Sequence, residues 1–224
     1  MTTQVFYYTV MLRITLLLIV FVLFTPVATE AHWPIVREEV AQHAIEVVPD
    51  PTRSRAYYGS LEGHPHAYEF TLTATTTVFI QTLLPDLPTG HNLTQPSGLL
   101  VEMLESGRVQ EIMRLQSDQA SWQSEFEPFG GDSYLQGPVF NKELSPGTYL
   151  FEVSTPENVS KYVLAIGDEE RWGGINPFVL IGRIYQVKQF FEKPWYAVWQ
   201  SPLYYLPTLL LLIGIGWYHV RRRR

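Results

Sequence analysis

The C-terminal end constrains this chain most. Residues 203 to 220, LYYLPTLLLLIGIGWYHV, contain no Asp, Glu, Lys or Arg and run directly into Arg221 to Arg224. Such a stretch is expected to cross a bilayer as a helix, because roughly 20 residues span the hydrocarbon core and a helix satisfies its own backbone there. Arginine resists translocation, so the four at the end predict a cytoplasmic C-terminus. Whatever precedes the span is then expected to fold outside the cytoplasm. The predicted transmembrane segment is 195–220 and the basic tail 221–224. Trp195, Tyr196, Trp199, Tyr204 and Tyr205 supply the amphipathic rings that favour its outer interface. Pro207 inside the span predicts a bend, since proline leaves a helical carbonyl without its donor.

The other end points the same way. ITLLLIVFVLF at residues 14 to 24 follows Arg13 and precedes TPVATEA, the three-part pattern of a secretory signal peptide. Residues 1–31 are predicted to be removed after Ala31, with an uncleaved signal anchor as the alternative. Between the two ends, residues 32–174 carry 20 acidic and 8 basic side chains, a net of −12, whereas residues 175–224 carry 1 and 7, a net of +6. An acidic body argues against nucleic acid, whose phosphates must be met by Lys and Arg. The chain has no cysteine, so an exported domain here must be held by its core. About 140 residues suffice for one core.

Within 32–174 the recurring pattern is short alternating runs broken by Gly, Pro, Asn and Asp. AYEFTLT (67–73), TTTVFIQTL (75–83), GLLVEML (98–104), GTYLFEVS (147–154) and KYVLAI (161–166) each have the period of two that a half-buried strand requires. The fold class predicted is mainly β, an antiparallel jelly-roll-like β-sandwich. Val36 to Val48 is ambiguous, helical in its first half or a strand at AIEVV. Glu157-Asn158 reads as a hairpin turn. From Gln116 to Asn141 the pattern weakens, and Trp122, Phe126, Phe129, Tyr134 and Phe140 are read as a loop offering aromatic contacts to a partner, or else as a crossover capping the sandwich.

Residues 175–194 change period. Asn176 can cap a helix with Pro177 at its first position, and Pro194 ends it. Leu180, Ile184, Val187 and Phe191 share a face, and Arg183, Gln186, Gln189 and Lys193 another. The helix either lies at the outer headgroups or packs beneath the sandwich. The first reading places Arg183, Lys188, Lys193, Trp195 and Trp199 at the membrane interface.

In order, GSLEGHPHAYEFTL, TTTVFIQT, GLLVEMLESG and ELSPGTYLFEVSTPENVSKYVLAIG resemble the segments of bacterial pre-peptidase C-terminal domains, over residues 56 to 167. The closing L-x-P-G-T-Y-x-x-x-V and Y-x-L, Leu144 to Leu164, carry most of the resemblance. It implies a jelly-roll-like sandwich of a secreted or surface protein. Where that family commonly has D-x-D-x-Y-x-F, this chain has H-P-H-A-Y-E-F, which removes the hard oxygen ligands that calcium needs.

Candidate chemistry is sparse. If cleavage follows Ala31, His32 becomes an N-terminal histidine, and its amine and imidazole with His64 or His66 are candidate ligands for copper or zinc. HPH is explained by turn chemistry alone as the entry to a strand, which makes the metal the minor reading, and no cofactor is the leading expectation. No G-x-S-x-G, H-E-x-x-H or G-x-x-x-x-G-K occurs. The expectation is therefore a single-pass type I protein of the plasma membrane, a non-catalytic binding or assembly module meeting the bilayer and a protein partner. A metal carrier or redox enzyme, and a polysaccharide-binding surface module, are the alternatives.

Overall fold

The structure is a computed structural model that describes residues 32–37, 40–88, 93–171 and 176–222; the predicted signal peptide and the tail's Arg223 and Arg224 lie outside the described residues. Alternating runs become strands: β1 (Trp33–Val36), β2 (Ile45–Val47), β3 (Arg55–Glu62), β4 (His66–Leu72), β5 (Thr76–Pro85), β6 (Ser97–Met103), β7 (Val109–Leu115), β8 (Ser124–Glu127), β9 (Asp132–Leu144), β10 (Gly147–Ser154) and β11 (Val159–Ile166). Helix α1 (Pro177–Phe190), a 3₁₀ turn (Trp195–Gln200) and helix α2 (Pro202–Arg222) follow.

The strands make a β-sandwich of two sheets. One has the order β1-β3-β11-β5-β9-β8 and the other β2-β4-β10-β6-β7. In β10, Tyr149, Phe151 and Val153 are buried while Leu150 and Glu152 are only partly so, as the alternation predicted. They meet Tyr57, Tyr68, Phe70, Ile80, Tyr162 and Leu164 between the sheets. Each such side chain contributes about 1.5–3 kcal/mol by leaving water. The central ladders are antiparallel, but the edge strands β1 and β2 pair parallel to β3 and β4. The Glu157-Asn158 turn is present, with Asn158 at φ 51° and its side chain accepting from Thr155 N at 3.1 Å. It crosses from one sheet to the other rather than closing a hairpin, because β10 and β11 lie in different sheets.

Two expectations are corrected here. The stretch 116–141 is more than half strand: β8 and the first ten of β9's 13 residues lie in it, and β9 pairs along β5 from Thr76 to Pro85. The 195–220 span begins later. Trp195–Gln200 is a separate 3₁₀ turn with Ala197 and Val198 buried, and only α2 forms the apolar rod, continuing through Pro207 as one helix.

Helix α1 takes the second of its two predicted places. Asn176 accepts from Phe178 N at 2.9 Å and caps it, and Leu180, Ile184, Val187 and Phe191 are all buried against the sandwich. Val187 and Phe191 pack on Tyr58, Tyr134 and Val163, on the outer face of the six-stranded sheet.

Candidate functional site

Where α1 leaves that outer face uncovered, a cleft of about 350 Å³ remains. Its floor is Ala56, Tyr58, Gln81, Leu83 and Val163, from strands β3, β5 and β11. Strand β8, at the sheet edge, supplies Glu125, Phe126 and Glu127; Tyr134 and Gln136 come from β9, and His32 contributes beside β1. Tyr58 and Tyr134 hydroxyls bond each other at 2.7 Å. The Gln136 amide donates to the Glu125 carboxylate, and Phe126 is 60% exposed. Among the described residues no Lys or Arg lines the cleft.

Glu127 is held at the start of a tight turn. Its two carboxylate oxygens accept from Phe129 N at 2.6 Å and Gly130 N at 2.7 Å. Those bonds favour the charged form, but loss of water around the carboxyl outweighs them, and with Asp132 nearby the pKa is pushed up to about 7.

Beyond Glu127 the same turn is welded to the C-terminal elements. Lys188 of α1, fully buried, donates to Asp132 Oδ2 at 2.8 Å, to the Gly131 carbonyl at 3.1 Å and to Gln200 Oε1 at 3.5 Å. Lys193 donates to the other Asp132 oxygen at 2.7 Å. Burial lowers the Lys188 ammonium pKa, partly offset by the Asp132 carboxylate. Ser201, also buried, donates to the Phe129 carbonyl at 2.7 Å immediately before α2 begins. Gly131 has φ +76° and lies so close to Gln200 that a Cβ would sit 2.7 Å from its carbonyl oxygen, so only glycine fits. Tyr204 of α2 adds a bond to the Ile181 carbonyl of α1 at 2.8 Å. Sheet, α1 and the root of α2 are thus one packed joint.

The predicted site residues are distributed differently from the expectation. Trp122, Phe129, Tyr134 and Phe140 are buried at 9% exposure or less, Tyr134 and Phe140 within β9, Trp122 against Gly137 of β9 and Phe129 against Leu180 and Ile184 of α1; Phe126 alone of the five is exposed. Lys188 is not at an interface but inside the joint, and Lys193 reaches into it; Arg183 is partly buried on α1, while Trp195 and Trp199 are exposed. His32 does not converge with His64 and His66, which lie next to each other. His32 Nδ1 meets Ser54 Oγ at 2.5 Å and its ring stacks near Phe79, on the six-stranded sheet. His66 opens β4 on the other sheet, buried, with Nδ1 2.8 Å from the Tyr162 hydroxyl. Tyr162 sits in register with Gly59, five residues along β3 from Ser54, roughly 16 Å at strand rise, so the shared site expected of His32 with His64 or His66 is not formed. His64 lies beside His66, with ring centroids 5.4 Å apart, and its Nε2 is engaged by the Val40 carbonyl at 2.9 Å. No group of three or more metal-capable side chains is found among the described residues.

No protein-family model matches the sequence, and no curated protein aligns with it. Among solved structures, the chain is similar to the pre-peptidase C-terminal domain of a collagenase from Bacillus anthracis, at 16% identity over 57% of this chain and 98% of that one, with a TM-score of 0.36. It is also similar to the Yersinia pseudotuberculosis-derived mitogen, at 12% identity over 54% and 91%, with a TM-score of 0.33. Function has to be argued from this chain itself.

Proposed function

We propose that the chain is a membrane-anchored, non-catalytic binding module whose sandwich stands outside the cytoplasm as an accessory part of a membrane complex or as a surface recognition domain. One observation carries the reading: α2, long and apolar enough to cross a membrane and with none of its most apolar stretch buried, grows directly out of the packed joint. A bare apolar rod fixed to a folded body is explained by a bilayer around the rod. Exposed Trp195, Tyr196 and Trp199 ring its base, where amphipathic side chains favour the interface. Exposed Phe178, Val179 and Tyr185 on α1, which Tyr204 ties to α2, extend the apolar surface available to a partner there.

The absence of native cysteine makes topology directly measurable. Glu143→Cys on the sandwich should react with a membrane-impermeant maleimide in intact cells, and Arg222→Cys only after permeabilisation. The reverse labelling, or release of the protein by carbonate, would sink the reading.

A further inference from the structure

We infer that the cleft on the six-stranded sheet is a binding site for a small organic cation, a primary amine or diamine. This deepens the reading of the chain as a binding module and rests on it, but concerns the cleft rather than the anchor.

Shape and charge lead to the ligand class separately. At about 350 Å³ the cleft is at the small end of ligand sites, with an apolar floor and a few convergent polar groups. Its charged side chains are Glu125 and Glu127, while the basic groups of the region, Lys188 and Lys193, are turned away and committed to Asp132. An anion entering would meet two carboxylates and, among the described residues, no basic side chain lining the cleft. A cation would meet them as counter-ions, with the rings of Tyr58 and Tyr134 able to hold its alkyl part and attract its charge.

Glu127 makes the distinction sharper. Its carboxyl is already partly withdrawn from water and held by the turn's N–H groups, so an arriving ammonium would stabilise its charged form with less water to displace. Glu125 and Glu127 are two residues apart on β8, roughly 6.6 Å along the strand on one side, a separation that suits two ammoniums on a four-carbon chain. A neutral polyol could bond Gln81 and Gln136 and donate to the two carboxylates, but it would bring no positive charge to balance them.

The full chain in phosphatidylcholine nanodiscs should be titrated calorimetrically at pH 7.5 with putrescine and with 1,4-butanediol, its uncharged counterpart. Saturable putrescine binding at least tenfold tighter than that of the diol is expected. Glu127→Gln and Glu125→Gln should each weaken it at least tenfold. Phe126→Ala should weaken it less. Glu125 and Phe126 are exposed and make no core contact, so those variants remain informative if Glu127→Gln does not fold. Absence of saturable putrescine binding, equal binding of amine and diol, or affinity unchanged in the Glu125 variant would overturn the site. None of these outcomes alters the maleimide labelling, so the cleft and the anchor fail independently.

Discussion

Two buried side chains with opposite proton chemistry determine how this protein should respond to acid. His66 is buried among Tyr68, Tyr162 and His64, its Nε2 has no partner, and burial lowers its pKa to about 4. The unfolded chain therefore binds a proton that the folded chain refuses, and stability falls as pH drops from 6.5 toward 4. Glu127 works in the other sense. With a folded pKa of about 7 it binds a proton more readily than the unfolded chain, so stability falls as pH rises from 4.5 toward 7. The two slopes oppose each other over their shared window. His66→Phe should unmask a decline with rising pH, and Glu127→Gln a rise, each about 2 kcal/mol across the window in denaturant titrations at stepped pH. Identical pH profiles for wild type and both variants would contradict the assignment. The Lys188 pair gives a second test. Lys188→Met leaves Asp132 still bonded to Lys193, whereas Asp132→Ala leaves a fully buried ammonium without its counter-ion. Asp132→Ala should cost about 3–5 kcal/mol and Lys188→Met less. Equal losses would argue against the geometry.

Individual strands and helices differ in how openly the sequence announces them. β4, β6 and β10 are legible because each buries one face and wets or half-buries the other, which writes a period of two, whereas β5 and β11 end in short apolar runs buried on both faces, under α1 as well as in the core. β9 is hidden by Gly137 and Pro138 at its middle. The register of β5 against β9 shifts between Gln81 and Leu83, opposite those residues, and a proline is tolerated where the ladder is already interrupted. Once β9 is a strand, Tyr134 and Phe140 have to face packed surface, which is why the aromatic loop dissolves. Lys188 carried a signal that polarity alone concealed: it lies four residues after Ile184 and three before Phe191, on the buried stripe of α1. A lysine there implies a buried acid opposite, though nothing in one sequence names Asp132. The cleft is invisible for the same reason: β8 and β9 pair locally, but only long-range pairing sets them beside β5, β11 and β3. Sheet packing also has a direct test. A Cβ on Gly98 of β6 would come 2.2 Å from the Phe151 ring, deep in the core. Gly98→Ala should lower stability by about 1–3 kcal/mol, read from urea midpoints, and Phe151→Leu in the same chain should recover part of it.

Taken whole, the molecule has no slack between its two parts. Ser201 is the sole residue separating the 3₁₀ turn from α2, and it is itself buried and bonded to the sheet's turn. Four Gly and Ser residues inserted between Gln200 and Ser201 should free the sandwich to tumble. A spin label on β10 in vesicles would then show faster motion than in the uninterrupted chain. Equal mobility in both would mean the joint is loose already. A body fixed this way is short in reach and definite in bearing. A flexible stalk would let a tethered domain sample a hemisphere and meet partners at many heights, with its local concentration set by the stalk's length. Here there is no stalk to set it. If the anchor is as proposed, encounters are confined to neighbours diffusing in the same plane, and each neighbour meets the same side of the sandwich every time.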